Sequence, residues 1–152
     1  MILFEAFDFL LNRQCEMKKI SYEDLNARQK ESYNFQKVSA VLADYGFVCI
    51  RLNDDWNGAD FIAQHIDGIN YLKVQLKARL TFDKKYIGKD LHVCFPNNSS
   101  WYLYTHDKLL EVFLKSYPGG MAASKSWVND GLYSWNYLGK KNLELLDKFR
   151  ID

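Results

Sequence analysis

The sequence has few cysteines and no pairing pattern among them. Only Cys15, Cys49 and Cys94 occur, widely spaced and without a C-x-x-C motif. The first eleven residues are apolar but contain Glu5 and Asp8, lack a basic leader and are too short to span a bilayer. We therefore expect a cytoplasmic protein with reduced thiols, without a secretory signal or a membrane span.

A strong excess of charge is also missing. The formal net charge is +1, so the whole molecule lacks the basic footprint of many nucleic-acid binders, although a local patch would suffice for binding. His65, His92 and His106 show no zinc or catalytic spacing. No nucleophile–base pair and no phosphate-cradling glycine loop is present, which argues against unrelated enzyme chemistries.

The composition is that of a folded protein. Apolar residues make up 48% of the 152 residues and aromatic residues 16%, enough for a packed core. We predict a single domain, 1–152. Within it, residues 1–16 are predicted to be an N-terminal extension, because Met17 begins a stretch that reads like a natural start.

A helix is predicted after Ser21, which forms a capping-box pattern with Asp24. Apolar residues then follow helical spacing up to Tyr45, and Gly46 suits the left-handed residue that ends a helix. Glu31 lies one turn before Phe35, the first apolar residue of this pattern. Its carboxylate therefore extends the buried side of the predicted helix.

The remaining elements alternate between strands and helices. Strands are predicted at 47–52, 91–95 and 101–105, and residues 53–58 are interpreted as a polar loop. Helices are predicted at 106–115 and 142–149. Together with a central hairpin, this order indicates an α/β or α+β fold with a mixed sheet.

The central hairpin organises the candidate site. Asp67-Gly68 is a two-residue turn signal, which pairs residues whose numbers sum to 135 and sets Asp60 opposite Gln75. Alternation along the second strand puts Lys77 on the same face as Gln75. A carboxylate, an amide oxygen and an ammonium on one face predict a site for a metal ion and a phosphate.

These residues resemble the motif of the PD-(D/E)XK nuclease superfamily, in a Gln-x-Lys variant. The matching segments are Gly58-Ala59-Asp60 and Gln75-x-Lys77, after a helix that carries an acid; the resemblance covers residues 21–115. It implies a restriction-endonuclease-like three-layer fold, with a central mixed sheet flanked by helices and 116–152 as a C-terminal accessory segment. The helix end at 45–47 is similar to that of resolvase-like members.

The resemblance also implies a role for each site residue. Asp60 would bind Mg²⁺ or Mn²⁺ together with the amide oxygen of Gln75 and the backbone carbonyl of Leu76. Lys77 would orient the attacking water and offset charge at the phosphate, and Glu31 would be the helix acid. Gln75 replaces an acidic residue and Ala59 a proline, and the loss of one carboxylate implies weaker divalent-ion binding.

Two alternatives stay open for this set. Asn34 or Gln36 would serve in place of Glu31, and Asp54 or Asp55 either shapes the loop or adds a carboxylate.

The same resemblance implies a nucleic-acid partner, and DNA is the favoured candidate. Basic residues beside the site are predicted to contact its backbone: Lys73, Arg79, Lys84, Lys85 and Lys89. Aromatic side chains are predicted to stack on splayed bases: Trp56, Tyr86, Trp101 and Tyr102. The predicted function is metal-dependent hydrolysis of nucleic-acid phosphodiesters. The resemblance also implies a homodimer, since many nucleases of this superfamily dimerise to cut two strands. The alternative is a catalytically eroded module that binds nucleic acid or a protein partner.

Overall fold

A computed structural model describes residues 17–116 and 119–152. The predicted extension 1–16 lies outside the described residues, and so do Tyr117 and Pro118. The chain divides into two compact units, one ending at Lys30 and the other covering Glu31–Asp152.

The described elements are three α-helices and seven strands. The helices are α1 (Ala27–Asp44), α2 (His106–Ser116) and α3 (Lys140–Leu146). The strands are β1 (Phe47–Trp56), β2 (Ala59–His65), β3 (Tyr71–Leu76), β4 (Thr81–Asp83), β5 (His92–Asn97), β6 (Ser100–Thr105) and β7 (Leu132–Ser134). No helix within 17–116 or 119–152 combines the length and apolar character needed to cross a membrane.

The first helix begins later than predicted. Ser21 caps only a short 3-10 turn, Tyr22–Asp24, and α1 begins at Ala27. Asn26 and Gln29 form the capping box, because each side-chain oxygen accepts the backbone N–H of the other residue at 2.9 Å. The start predicted at Ser21 is therefore wrong: this reciprocal pair determines where the α-helix begins.

The main sheet is mixed, as predicted. Its five strands lie in the order β1-β2-β3-β5-β6, with β3 and β5 parallel and every other neighbouring pair antiparallel. β4 and β7 form a separate two-stranded antiparallel sheet. This second sheet was not predicted, since its strands are three residues long and 50 positions apart.

Helices cover both faces of the main sheet, which confirms the predicted fold class. Val38 and Leu42 of α1 belong to one buried cluster, which also contains Cys94 of β5. Leu109 and Phe113 of α2 belong to the other cluster. That cluster also contains Val93 and Phe95, the two neighbours of Cys94 on β5. Because successive strand residues point to opposite faces, the two clusters lie on opposite sides of the sheet.

Residues after 118 contribute to the α2 side of the core. Trp127, Leu138 and Leu146 are buried in the same cluster as α2. The predicted helix 142–149 is α3 followed by a 3-10 turn, Asp147–Phe149. The role of 116–152 as an accessory segment stays a prediction.

The β2–β3 hairpin has the predicted register but a different turn. Phe61 pairs with Val74, as the sum of 135 requires. The connection, however, has four residues, because the backbone N–H of His65 donates to the Asn70 carbonyl at 2.8 Å. Only Gly68 within it has a positive φ, 72°. The predicted two-residue turn is therefore wrong, whereas the pairing is confirmed.

The β1–β2 hairpin replaces most of the loop predicted at 53–58. β1 continues to Trp56, which pairs with Ala59, and only Asn57 (φ 56°) and Gly58 (φ 92°) form the turn. Positive φ at both central residues is the geometry that an Asn-Gly dipeptide favours in tight hairpins. The loop interpretation is wrong because it gave more weight to polar composition than to this dipeptide.

Candidate active site

A cavity of about 410 Å³ lies where β2 begins and β3 ends. It brings together all four predicted catalytic residues, Glu31, Asp60, Gln75 and Lys77. Arg51, Lys85 and Tyr86 also line it, and so does Asp54. Of these residues, Arg51 was not predicted from the sequence to belong to the site.

An irregularity in β1 makes room for the cavity beside Asp60. Arg51 pairs with Phe61 and Trp56 pairs with Ala59, so residues 52–55 of β1 stand opposite Asp60 alone. A strand with more residues than its partner bends away and leaves polar groups outside the ladder. The bulge therefore leaves Asp60 without a close backbone neighbour on β1, at the end of the sheet where β2 begins.

Asp60, Gln75 and Leu76 converge at this edge. Oδ2 of Asp60 accepts hydrogen bonds from Nε2 of Gln75 at 2.5 Å and from the backbone N–H of Leu76 at 2.7 Å. The same Nε2 lies 3.3 Å from the Leu76 carbonyl oxygen. The Gln75 amide nitrogen thus lies between the two oxygens that were predicted to bind a metal ion.

The donor set fits a hard divalent cation once the Gln75 amide turns over. A half-turn of a glutamine amide exchanges its NH₂ group and its oxygen with almost no change of shape. Asp60, Gln75 and the Leu76 carbonyl would then present three oxygens, the ligand type of Mg²⁺, which usually takes one or two carboxylates and several waters. Within residues 17–116 and 119–152 no three His, Cys, Asp or Glu side chains form a metal-binding group, so uncharged oxygens are essential to this set.

Asp60 is half-buried, and its pKa is raised. Burial is the largest cause; the Leu76 N–H and the charge of Lys77 oppose it, whereas the charge of Glu31 adds to it. Because burial penalises the ionised carboxylate, positive charge at this point stabilises it.

Tyr86 lines the cavity, with two ammonium groups near its ring. The Nζ atoms of Lys77 and Lys85 lie 5.3 and 5.0 Å from its ring centroid, within the range of cation–π attraction. The Lys77 backbone N–H donates to the Cys94 carbonyl at 2.8 Å, which fixes the start of this side chain. A Cβ at Gly58 would approach Cε1 of Tyr86 to 2.9 Å, so the Asn57–Gly58 turn packs directly against the ring.

Glu31 and Arg51 also line the cavity and form an ion pair there. Nη2 of Arg51 donates to Oε1 of Glu31, and Nη1 donates to Oγ of Ser32 at 3.0 Å. The guanidinium carbon lies 5.6 Å from the ring centroid of Phe35. The Glu31 carboxylate therefore reaches the cavity already paired with a cation.

The other residues considered for the helix acid do not line this cavity. Asn34 is buried and Gln36 is exposed. Of the three helix positions, only Glu31 reaches the site.

The predicted basic contacts are dispersed. Lys73 Nζ donates to the Lys89 carbonyl at 2.7 Å, Arg79 donates to Asn136, and Lys84 lies over the Trp127 ring at 5.0 Å. Among the five predicted contacts, only Lys85 lines the cavity.

The predicted stacking aromatics have different environments. Trp101 and Tyr102 are buried in the core clusters, so the expectation that they stack on bases is wrong. Trp56 is 64% exposed, and Tyr86 is buried in the cavity wall.

Comparison with known proteins gave one solved structure of interest. No family model and no curated protein matches the chain. Among solved structures, the Holliday junction resolvase Hjc of the archaeal hyperthermophile Archaeoglobus fulgidus matches with 15% sequence identity and a TM-score of 0.41. The match covers 51% of this chain and 74% of that chain. The interpretation of the site therefore depends on its own residues.

Proposed function

We propose that the protein is a restriction-endonuclease-like nuclease that hydrolyses nucleic-acid phosphodiesters with Mg²⁺ or Mn²⁺. DNA is the favoured substrate. The observation that carries this proposal is the convergence of the Asp60 carboxylate, the Gln75 amide and the Leu76 carbonyl beside Lys77 in one open cavity. Hard oxygen ligands next to an ammonium are what a phosphodiester hydrolase needs.

Asp60, Gln75 and the Leu76 carbonyl would hold the metal ion. Such an ion supplies positive charge beside the attacked phosphate and lowers the pKa of a bound water. To act as a ligand, the amide of Gln75 would have to turn its oxygen outward and give up its hydrogen bond to Asp60. This exchange costs free energy and weakens ion binding relative to a site with a second carboxylate.

Cationic side chains would bind and orient the phosphate. Lys77 offsets charge at the attacked phosphorus, with its ammonium held near the face of the Tyr86 ring. Arg51 and Lys85, which also line the cavity, contribute positive charge. Arg51 is suited to phosphate because its planar guanidinium forms paired hydrogen bonds.

Glu31 would act through Arg51. Its carboxylate accepts a hydrogen bond from that guanidinium, so it fixes the direction in which Arg51 points. Glu31 would join the metal ligands only after this ion pair opens.

The alternative is an eroded module that binds nucleic acid or a protein partner without cutting. One observation favours it: the Gln75 Nε2 group already occupies Oδ2 of Asp60 by donating a hydrogen bond to it at 2.5 Å. A measurable Mg²⁺ or Mn²⁺ affinity that disappears in Asp60→Ala separates the two functions in favour of the nuclease. The predicted homodimer and cytoplasmic location stay predictions.

The test is cleavage of a panel of DNA and RNA substrates, single-stranded, duplex and branched, in Mg²⁺ and in Mn²⁺. We expect metal-dependent cleavage that falls at least about 100-fold in Asp60→Ala and in Lys77→Ala. Asp67→Ala is the matched control, because it removes an aspartate from the same hairpin at its far end and should retain cleavage.

Two outcomes contradict the proposal. Cleavage that survives both Asp60→Ala and Lys77→Ala would mean that these residues do not form the active site. Binding of nucleic acid without cleavage under any condition would favour the eroded module.

A further inference from the structure

A second, smaller cavity of about 150 Å³ opens at the same edge of the main sheet. It lies at the end of β5 and beside residues 78–80, which directly follow Lys77. Because β3 and β5 are parallel, their carboxyl ends meet at one edge, where ligands commonly bind. The second cavity is therefore a neighbour of the first.

The spacing between the two cavities is small. Asp60 is on β2, Leu76 on the adjacent β3 and Asn97 on β5, the next strand along. Neighbouring strands lie about 4.8 Å apart, and Asn97 is four residues, about 13 Å, beyond Val93, the β5 partner of Gln75. Asp60 and Asn97 are therefore roughly 16 Å apart. One polymer chain crossing this edge would reach both.

Trp135 is the aromatic side chain of the second cavity that a ligand can contact, because it is only half-buried. Leu80 and Phe95 are fully buried and Leu138 is 6% exposed, so these side chains support the cavity from the core and present almost no surface to a ligand. The Trp135 ring packs against the rings of Phe113 at 5.2 Å and Phe82 at 5.8 Å. A flat aromatic ligand would meet a preformed surface there.

The rim of the second cavity consists of amides. Asn97 and Asn98 line it, and neither side chain makes a hydrogen bond to another residue of the described chain. Asn136 accepts from Arg79 through Oδ1, which orients its NH₂ group without using it. Each free amide offers both a donor and an acceptor.

We propose that this second cavity binds one unpaired nucleobase of the strand whose phosphodiester lies in the first cavity. A planar ring with donors and acceptors along its edge matches the half-buried Trp135 side chain and the amide rim. A cavity of about 150 Å³ is the size that accepts a single benzene ring, which favours a pyrimidine. The identity of the ligand rests on the proposed function; the shape and chemistry of the cavity do not.

The experiment compares the affinity of the whole protein for oligothymidylate and for an abasic oligomer of the same length and charge. Fluorescence anisotropy in EDTA measures binding without cleavage. Stacking and hydrogen bonding of one base should make oligothymidylate bind about 5- to 100-fold more tightly than the abasic oligomer. Asn97→Ala and Asn136→Ala should each reduce this ratio at least about threefold, since one amide contact is lost. Asn129→Ala, at an exposed amide outside both cavities, is the control and should leave the ratio unchanged.

Three results would overturn the base site. Equal affinity for both oligomers would leave nucleic-acid binding intact but exclude a base contact. A preference that persists in both cavity variants, or that falls equally in Asn129→Ala, would place the contact elsewhere. Failure to bind either oligomer would contradict both the base site and the nucleic-acid partner. Base-dependent binding without cleavage in Mg²⁺ would support this site and count against the hydrolase.

Discussion

Asp60 and Asp67 lie at opposite ends of the β2–β3 hairpin and make similar hydrogen bonds, yet their pKa values move in opposite directions. Asp67 accepts the backbone N–H groups of Ile69 and Asn70 at 2.8 and 2.9 Å, and these bonds lower its pKa. Asp60 accepts the Leu76 N–H at 2.7 Å, but burial raises its pKa by more than this bond and Lys77 lower it. The difference shows that desolvation, not the hydrogen bond, distinguishes the candidate site from the structural turn.

Gly58 and Gly68, in the turns that precede and follow β2, offer the largest test of this contrast. Both have positive φ, 92° and 72°, but a Cβ at Gly58 would lie 2.9 Å from Tyr86 whereas one at Gly68 would meet nothing within 4 Å. We expect Gly58→Ala to lower the free energy of unfolding by about 2–5 kcal/mol, since backbone strain and overpacking add. Gly68→Ala should cost only about 1–2 kcal/mol, from backbone strain alone. Chemical denaturation measures both, and equal losses would mean that Tyr86 does not pack against the turn.

Gln75→Glu tests whether the amide stands in for a cation at Asp60. It removes the donor at 2.5 Å from Asp60 and sets a second carboxylate there. In EDTA we expect a loss of about 1–3 kcal/mol of stability, because a half-buried acceptor loses its partner and gains a like charge. In return, affinity for Mg²⁺ should rise about tenfold, since binding strength follows ligand charge.

Gln36→Glu is the matched control for this substitution. Gln36 is exposed on α1, so the same change there should alter stability by less than about 0.5 kcal/mol and leave Mg²⁺ affinity unchanged. Thermal unfolding in EDTA and isothermal titration calorimetry provide the two readouts. If Gln75→Glu proved as stable as wild type in EDTA, the amide hydrogen bond would not be stabilising Asp60.

The smallest expected effect is on the pH dependence of stability. The pKa of Asp67 is lowered from a usual value of 3.8, so its ionised form stabilises the folded state; this stability is present above that pH and lost as pH falls through the lowered value. The difference in melting temperature between wild type and Asp67→Ala should therefore be constant near neutral pH and shrink below about pH 4.

Asp60 should show the opposite sign in metal-free buffer. Its pKa is raised, so its contribution is most favourable below the usual pKa and is lost as pH rises through the raised value. Melting curves of Asp60→Ala over the same pH range measure this. Parallel pH curves for the two variants would remove the electrostatic distinction between the two aspartates.

The hairpin register could be predicted from the sequence even though its turn could not. A two-residue turn at Asp67-Gly68 and the observed four-residue turn at 66–69 share the same midpoint. Both therefore pair residues whose numbers sum to 135, and Asp60 meets Gln75 in either case. The contact between these residues follows from the symmetry of the hairpin and not from the details of its tip.

The walls of the cavity could not be predicted in the same way. The environment of Arg51 depends on the bulge at 52–55, and nothing in a polar stretch distinguishes a bulged strand from a loop. Tyr86 reaches the site because β4 leads into its 3-10 turn, and β4 pairs with β7 some 50 residues away. Such long-range pairing of three-residue strands leaves no periodic signal.

The bulge at 52–55 also affects which sequence changes the protein can tolerate during evolution. These residues face only Asp60 on β2, so an insertion or deletion there leaves the pairs at 47–51 in register. Asn53 and Asp54 from this segment line the first cavity. Its rim can thus vary in length and charge while the fold and the Asp60–Gln75 contact are inherited unchanged. The length and charge of the cavity rim and the stability of the fold can therefore evolve at separate positions.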